Sequence, residues 1–217
     1  LTQVKDSRSL LQQNIAMDAL TIKTCKDSCS RAVFISSLNA RLEEVVISSD
    51  WPDFLNEHRT APHRPHRFRI AVASCANGCV QPHIADFGLI ATAKIRVDAE
   101  KCSACGECLA VCAENALGLA PRIELEPARC LGCAACVRAC PESAFSVEAL
   151  GYRVLLGGKL GRHPRLAHEL GFFSEKEIPN ILAATLRCFM RRYQPRQRLG
   201  DLIRAMGREQ FDSLIRP

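Results

Sequence analysis

The strongest constraint on this 217-residue chain is a repeat of cysteines. Cys102, Cys105, Cys108 and Cys112 recur 28 residues later as Cys130, Cys133, Cys136 and Cys140, so each half reads Cys-x2-Cys-x2-Cys-x3-Cys. Thiols this dense must either pair as disulfides or surround metal. Twelve of the 13 cysteines fall into Cys-x2-Cys or Cys-x3-Cys groups and only Cys188 stands alone. Such clustering, in a chain with no basic-then-apolar leader, favours metal in a reducing compartment. The chain is therefore expected to be cytoplasmic. Its longest apolar stretches, such as Ile181 to Leu186, fall far short of the roughly 20 residues that a membrane span needs. Because the first residue is Leu, these residues are expected to be part of a longer product.

Four thiolates at this spacing suit a [4Fe-4S] cubane, and two identical runs suit two of them; four-thiolate zinc is the competing chemistry. The segment resembles two-cluster ferredoxins, in which the fourth Cys of each run crosses to the other cluster. That resemblance implies one cluster on Cys102, Cys105, Cys108 and Cys140 and a second on Cys130, Cys133, Cys136 and Cys112. The usual Pro follows Cys140 but is replaced after Cys112 by Ala113, which is expected to alter a turn more than ligation.

Charge follows the same division. Residues 98–150 carry a net charge of −4, inside a body of +3 before them and +7 after them. A basic body of this kind suits an anionic substrate or cofactor. With 6% aromatic residues and no stacking motif, nucleic acid is not expected as a partner.

Residues 98–148 thus read as an inserted ferredoxin-like domain, with residues 1–97 and 149–217 forming one discontinuous α+β domain of mixed sheet and helices. Ser30 is expected to cap a helix over Arg31 to Val46, and the Pro-, His- and Arg-rich stretch from Asp50 to Arg67 to be a loop. Strands are expected over Arg67 to Ser74, Leu89 to Val97 and Tyr152 to Leu156, with brief ones at Ala116 to Leu119 and Ala144 to Val147. Ser174 and Glu177 form a capping-box pattern for a helix toward Tyr193, with Pro179 able to shift its start, and two short helices close the chain. His58, His63 and His66 are expected to lie in a solvated basic loop, and Cys188 to be a small buried apolar residue. Asp86-Phe87-Gly88 matches a kinase tripeptide without the phosphate-binding loop that would give it meaning.

Two further pairs remain, Cys25-Lys-Asp-Ser-Cys29 and Cys75-Ala-Asn-Gly-Cys79. Four more thiolates suit either a third cubane or a zinc ion. The second pair follows one expected strand and enters another through Asp86-Phe-Gly-Leu-Ile. This stretch resembles the sirohaem-dependent sulfite and nitrite reductase family, whose motif is close to Cys-Pro-Asn-x-Cys. Ala76 stands in place of the usual Pro. A second match is Gly151-Tyr-Arg-Val-Leu-Leu-Gly-Gly-Lys-Leu-Gly-Arg-His-Pro-Arg-Leu, similar to the family's glycine-rich segment after the ferredoxin insert. The first pair departs from the family, which spaces it Cys-x5-Cys. The resemblance is closest to the C-terminal half of the anaerobic and dissimilatory sulfite reductases.

The resemblance implies a third [4Fe-4S] cluster on Cys25, Cys29, Cys75 and Cys79, with Cys79 bridging to the sirohaem iron. It also implies sirohaem contacts from Asn77, Gly157, Gly158, Lys159, Gly161 and Arg162. The activity it implies is that of an oxidoreductase reducing sulfite to sulfide by six electrons delivered through the clusters. Nitrite reduction, and a non-catalytic electron carrier that has lost sirohaem, are the alternatives. Arg64, Arg67, Arg69, Arg191, Arg192, Arg196 and Arg198 are candidates to neutralise sirohaem carboxylates or substrate. The family's substrate-binding cations come mainly from a first half too long to fit here. A partner chain or further segment and an electron-donor protein are therefore expected, and no catalytic acid is named.

Overall fold

The computed structural model describes residues 20–26, 28–34, 37–58 and 67–217. Its strands are β1 (Leu20–Thr24), β2 (Phe68–Ala73), β3 (Phe87–Val97), β4 (Leu117–Leu119), β5 (Ile123–Leu125), β6 (Phe145–Leu156) and β7 (His168–Phe173). Its helices are α1 (Leu38–Ile47), α2 (Trp51–Glu57), α3 (Glu107–Val111), α4 (Ala135–Ala139), α5 (Ile178–Arg191), α6 (Leu199–Met206) and α7 (Arg208–Ile215). Five strands make one mixed sheet in the order β1-β2-β3-β6-β7, and β4 pairs with β5. β1, β2 and β3 run parallel, whereas β6 is antiparallel to both its neighbours. The α+β expectation is met.

Strand alternation decides which face the helices cover. Phe68, Ile70 and Val72 of β2, Phe87 and Leu89 of β3, and Tyr152, Val154 and Leu156 of β6 all join one buried cluster with α1, α2 and the three C-terminal helices. Trp51, fully buried, stands edge-on to Phe68 and close to Phe189, which ties α2 to both β2 and α5. On the opposite face Ala73, Ile90 and Leu155 pack under Val80 and Ala167.

Two expectations are corrected. The first helix begins at Leu38 rather than Arg31, because the chain after Cys29 turns on itself and the Val33 amide bonds the Ser74 carbonyl at 2.7 Å. The stretch after Asp50 is a helix, not a loop, as far as Glu57; Pro52 sits in its first turn, where a missing N–H costs nothing, and Trp51 anchors it. Ser174 does pair with Glu177, through N–H and hydroxyl bonds of 2.8 and 2.6 Å, yet the helix starts at Ile178. Pro179 lies in that first turn.

The cysteine repeat grows out of the sheet. Beyond an irregularity at Lys94/Ile95, β3 and β6 continue pairing as Ile95↔Val147 and Val97↔Phe145. The same pairing recurs with the halves exchanged, 28 residues on for one strand and 28 back for the other, as Ile123↔Leu119 and Leu125↔Leu117. The two halves of the repeat are thus related by an approximate two-fold axis, each lending a strand to the other.

Candidate functional site

Parallel strands end at a common edge, and here that edge collects the cysteines. Cys25 follows β1 directly, Cys75 lies two residues beyond β2, and the repeat departs from the end of β3. The Cys25 amide reaches the Val72 carbonyl at 3.4 Å, and the Ser74 N–H donates to Cys25 Sγ at 3.4 Å. In the second pair, Asn77 Nδ2 donates to Cys79 Sγ at 2.8 Å. Cys75 is buried and Cys79 exposed, so the two sulfurs of one short loop face different surroundings.

In the repeat, the hydrogen bonds to sulfur in one half have their counterparts 28 residues away. The Ala104 and Gly132 amides donate to Cys102 Sγ and Cys130 Sγ at 3.4 Å, and the Ala116 and Ala144 amides donate to Cys112 Sγ and Cys140 Sγ at 3.3 Å. Ala104 and Gly132 share left-handed backbone, as do Gly106 and Ala134, and Asn115 and Ser143. Four N–H groups aimed at sulfur are what thiolates require when they are to carry negative charge. Burial pushes the Cys108 thiol upward, and the neighbouring Cys102 and Cys140 add to it. Burial, then Cys130 and Cys133, push Cys136 up to about 11. Crowded, desolvated sulfurs of this kind lose their protons when iron supplies the compensating positive charge.

A cavity of about 510 Å³ joins the repeat to the sheet edge. Cys112, Cys130, Cys133 and Cys136 of the repeat line it together with Cys75 and Asn77 of the second cysteine loop. The half of the repeat carrying Cys130 is held against the sheet: the Ala93 amide bonds the Gly132 carbonyl at 2.9 Å, and a Cβ on Gly132 would collide with Ala93 and Thr92. That close approach explains Gly at 132 where the other half has Ala104. Among the described residues, no three Cys, His, Asp or Glu side chains gather tightly enough for a single metal ion.

The glycine-rich segment supports the second cysteine loop from behind. A Cβ on Gly158 would strike the His83 carbonyl and Ile84, and one on Gly157 would strike Gly200. The Ala167 amide bonds the His83 carbonyl at 2.7 Å, fastening the segment to the turn that follows Cys79. Lys159, expected to add positive charge for an anion, instead bonds both oxygens of Asp201 at 3.0 and 3.2 Å. Arg165 Nη2 bonds the same carboxylate at 2.6 Å. Gly161 and Arg162 lie exposed at the tip of the segment.

The arginine candidates are likewise mostly committed. Arg198 Nη2 bonds both oxygens of the buried Asp86 at 2.9 and 2.6 Å, and the Arg69 amide adds a bond of 3.0 Å. In the sequence Asp86 stands in the stretch leading from the second cysteine pair into β3; its burial is what makes it a hub, and no local spacing announces that. Arg192 lies 3.6 Å from the buried Cys188 sulfur, Arg191 is exposed at the end of α5, and Arg67 and Arg196 both have partners within the chain. Arg64, His63 and His66 lie outside the described residues. His58, expected in a solvated loop, instead directly follows α2, where it bonds the Phe54 carbonyl at 2.7 Å and packs tilted against Phe54 and edge-on to Tyr193.

Residues 21–217 match the family model described as the nitrite and sulphite reductase 4Fe-4S domain. The chain belongs to that family. It is 37% identical over 150 residues to the coenzyme F420-dependent sulfite reductase of Methanocaldococcus jannaschii, covering 68% of this chain and 24% of that protein. It is 28% identical over 119 residues to one subunit of the anaerobic sulfite reductase of Salmonella typhimurium, covering 54% of this chain and 30% of that one. The chain therefore spans a quarter to a third of these relatives' length. The crystal structure of dissimilatory sulfite reductase I shares the fold, with a TM-score of 0.58 at 18% identity over 91% of this chain and 52% of that one. This nitrite and sulphite reductase domain is thus an iron-sulfur protein by family. Among the described residues, no helix is long and apolar enough to cross a membrane.

Proposed function

We propose that this chain is the cluster-bearing part of a sirohaem-type sulfite reductase. In this reading residues 98–148 are an inserted ferredoxin domain, and residues 1–97 and 149–217 form the sirohaem-facing domain. Cys102, Cys105, Cys108 and Cys140 hold one [4Fe-4S] cluster, and Cys130, Cys133, Cys136 and Cys112 hold another. Cys25, Cys29, Cys75 and Cys79 hold a third, with Cys79 also on the sirohaem iron. When bound, the clusters carry single electrons, and the tetrapyrrole iron offers hydrogen sulfite a site where six electrons and six protons yield hydrosulfide and three waters.

The observation that carries the reading is the division of burial across the second cysteine loop. Cys75 is buried on the cavity shared with Cys112, Cys130, Cys133 and Cys136, while Cys79 is exposed at the sheet edge. In this reading the buried Cys75 would serve the cluster alone, and the exposed Cys79 would leave room for a large macrocycle. Asn77 orients the Cys79 sulfur, the Ser74 amide orients that of Cys25, and Gly158 lets the supporting segment approach the loop. Asn77, Gly161 and Arg162 are the expected tetrapyrrole contacts still open to one, whereas Gly157, Gly158 and Lys159 serve it by holding the scaffold. The Salmonella relative is, by its name, one subunit of several. By analogy, the remaining cations for the anionic substrate come from a further segment or partner chain.

Anaerobic absorbance spectroscopy, tetrapyrrole extraction and iron counting on one sample test this. Sirohaem bands with about thirteen iron atoms, four per cubane and one in the tetrapyrrole, are expected. Cys79→Ser is expected to abolish the haem signal and leave the repeat's clusters intact. About eight irons and no extractable tetrapyrrole would mean an electron carrier on a reductase scaffold. Turnover of nitrite in preference to sulfite would move the assignment to the nitrite enzymes.

A further inference from the structure

The two halves of the cysteine repeat have nearly the same backbone, so differences in charge between them are informative. Matched charges cancel. The Asp98–Lys101 ion pair of the first half, 3.3 Å, has its counterpart in Glu126–Arg129, 3.7 Å, and Glu114 has its counterpart in Glu142. On the flanking strands Arg96 faces Glu124 and Glu148 faces Ala120, but within the cysteine-bearing stretches 98–114 and 126–142 three positions differ in charge. Glu100 faces Ala128 in the repeat alignment, Glu107 faces Ala135, and Ala110 faces Arg138. The first two leave extra negative charge around Cys102, Cys105 and Cys108. The third places positive charge beside Cys133: Arg138 Nη2 donates to the Cys133 carbonyl at 3.3 Å, and the side chain lines the cavity with Cys112, Cys130 and Cys136. Arg31 lines the same cavity near Cys75.

Reducing a cluster adds one negative charge without forming a bond or moving a proton. A nearby cation therefore raises the reduction potential and a nearby anion lowers it. We propose that Arg138 makes the cluster on Cys112, Cys130, Cys133 and Cys136 the more easily reduced of the two, so that electrons collect on the side facing Cys75. Glu100 and Glu107 work in the same sense by keeping the outer site at lower potential. A low-potential one-electron donor protein is the class of reductant such an order serves. The inference rests on the [4Fe-4S] reading of the repeat.

The test is a redox titration of the anaerobically purified protein with dithionite, followed by electron paramagnetic resonance, with iron counted on every sample. Arg138→Ala is expected to shift one cluster's midpoint to more negative potential and leave the other in place, with iron content unchanged. Ala110→Arg, the matching position of the other half, is expected to shift the other midpoint upward and narrow the gap between the two. Full iron content with both midpoints unmoved by Arg138→Ala, or moved equally, would overturn the assignment of Arg138 alone. A wild-type protein lacking two [4Fe-4S] signals would overturn both this inference and the functional reading beneath it.

Discussion

Asp201 shows what the cations of the glycine-rich segment do in this fold. Burial alone would raise its carboxyl, but hydrogen bonds from Arg165, Lys159 and the Arg198 amide outweigh that and hold it at about 2. An unfolded Asp titrates near ~3.9. The folded state therefore binds fewer protons than the unfolded state between these values. The stability this contributes is present in full above about pH 4 and is lost as pH falls toward 2, amounting to about 2 kcal/mol at neutral pH. Asp201→Asn is expected to be destabilised by that amount at pH 7, with the gap to wild type roughly halved near pH 3. Thermal unfolding followed by circular dichroism at several pH values checks this. A gap that stays constant down to pH 3 would show that the carboxylate's charge contributes nothing. The same ion pairs explain why a Lys beside three glycines misleads a sequence reading: Asp201 lies 42 residues further on, and only the packing of α6 against the segment brings it there.

At the scale of elements, the loop bearing Cys75 and Cys79 is held in place by what its neighbours lack. Gly88 on β3 and Gly158 after β6 both meet the backbone of the turn at Pro82–Ile84 where a Cβ would otherwise sit. Gly158→Ala is expected to cost about 1–3 kcal/mol by overpacking. It is also expected to loosen the Cys79 loop, lowering iron and tetrapyrrole content at the sheet edge while the repeat keeps its own. Gly118, on β4 with open space around it, is the control, and Gly118→Ala should leave both stability and iron content near wild type. An equal loss of iron from the two variants would sink the buttress account. Local pattern revealed much of this layer: the cysteine period, the alternation of Phe68, Ile70 and Val72, the Ser174–Glu177 pairing and the two closing helices. It failed where a distant partner decided the outcome. The first helix is delayed by a bond from Val33 to Ser74, and α2 hides in polar composition because its stability comes from Trp51 against Phe68 and Phe189. The strands at Leu20–Thr24 and His168–Phe173 form where neighbours pair with them, with little signal in their own residues.

For the whole molecule, the two regions differ in how they are held. The sheet and its helices share a buried cluster running from Leu38 to Ile215, enough apolar contact for a domain of this size to stand unaided. The repeat has only a small core of Cys108, Ile123, Cys136, Ala144 and Phe145, with Cys102 and Cys140 at its margin. Its cysteines thus contribute to the core as well as to ligation, and a segment this short ordinarily needs metal to stay folded. The coupling runs through β3 and β6, whose inner halves belong to the sheet and outer halves to the repeat. Removing iron with a chelator under anaerobic conditions is therefore expected to unfold the repeat locally. Amide protection should fall across residues 98–144, while β2, the inner half of β3 and α5 keep theirs. Hydrogen exchange read by mass spectrometry before and after chelation measures this directly. Protection lost uniformly along the chain would mean that the clusters hold the whole domain together. Protection retained in the repeat would mean that its backbone folds first and that iron enters a finished site.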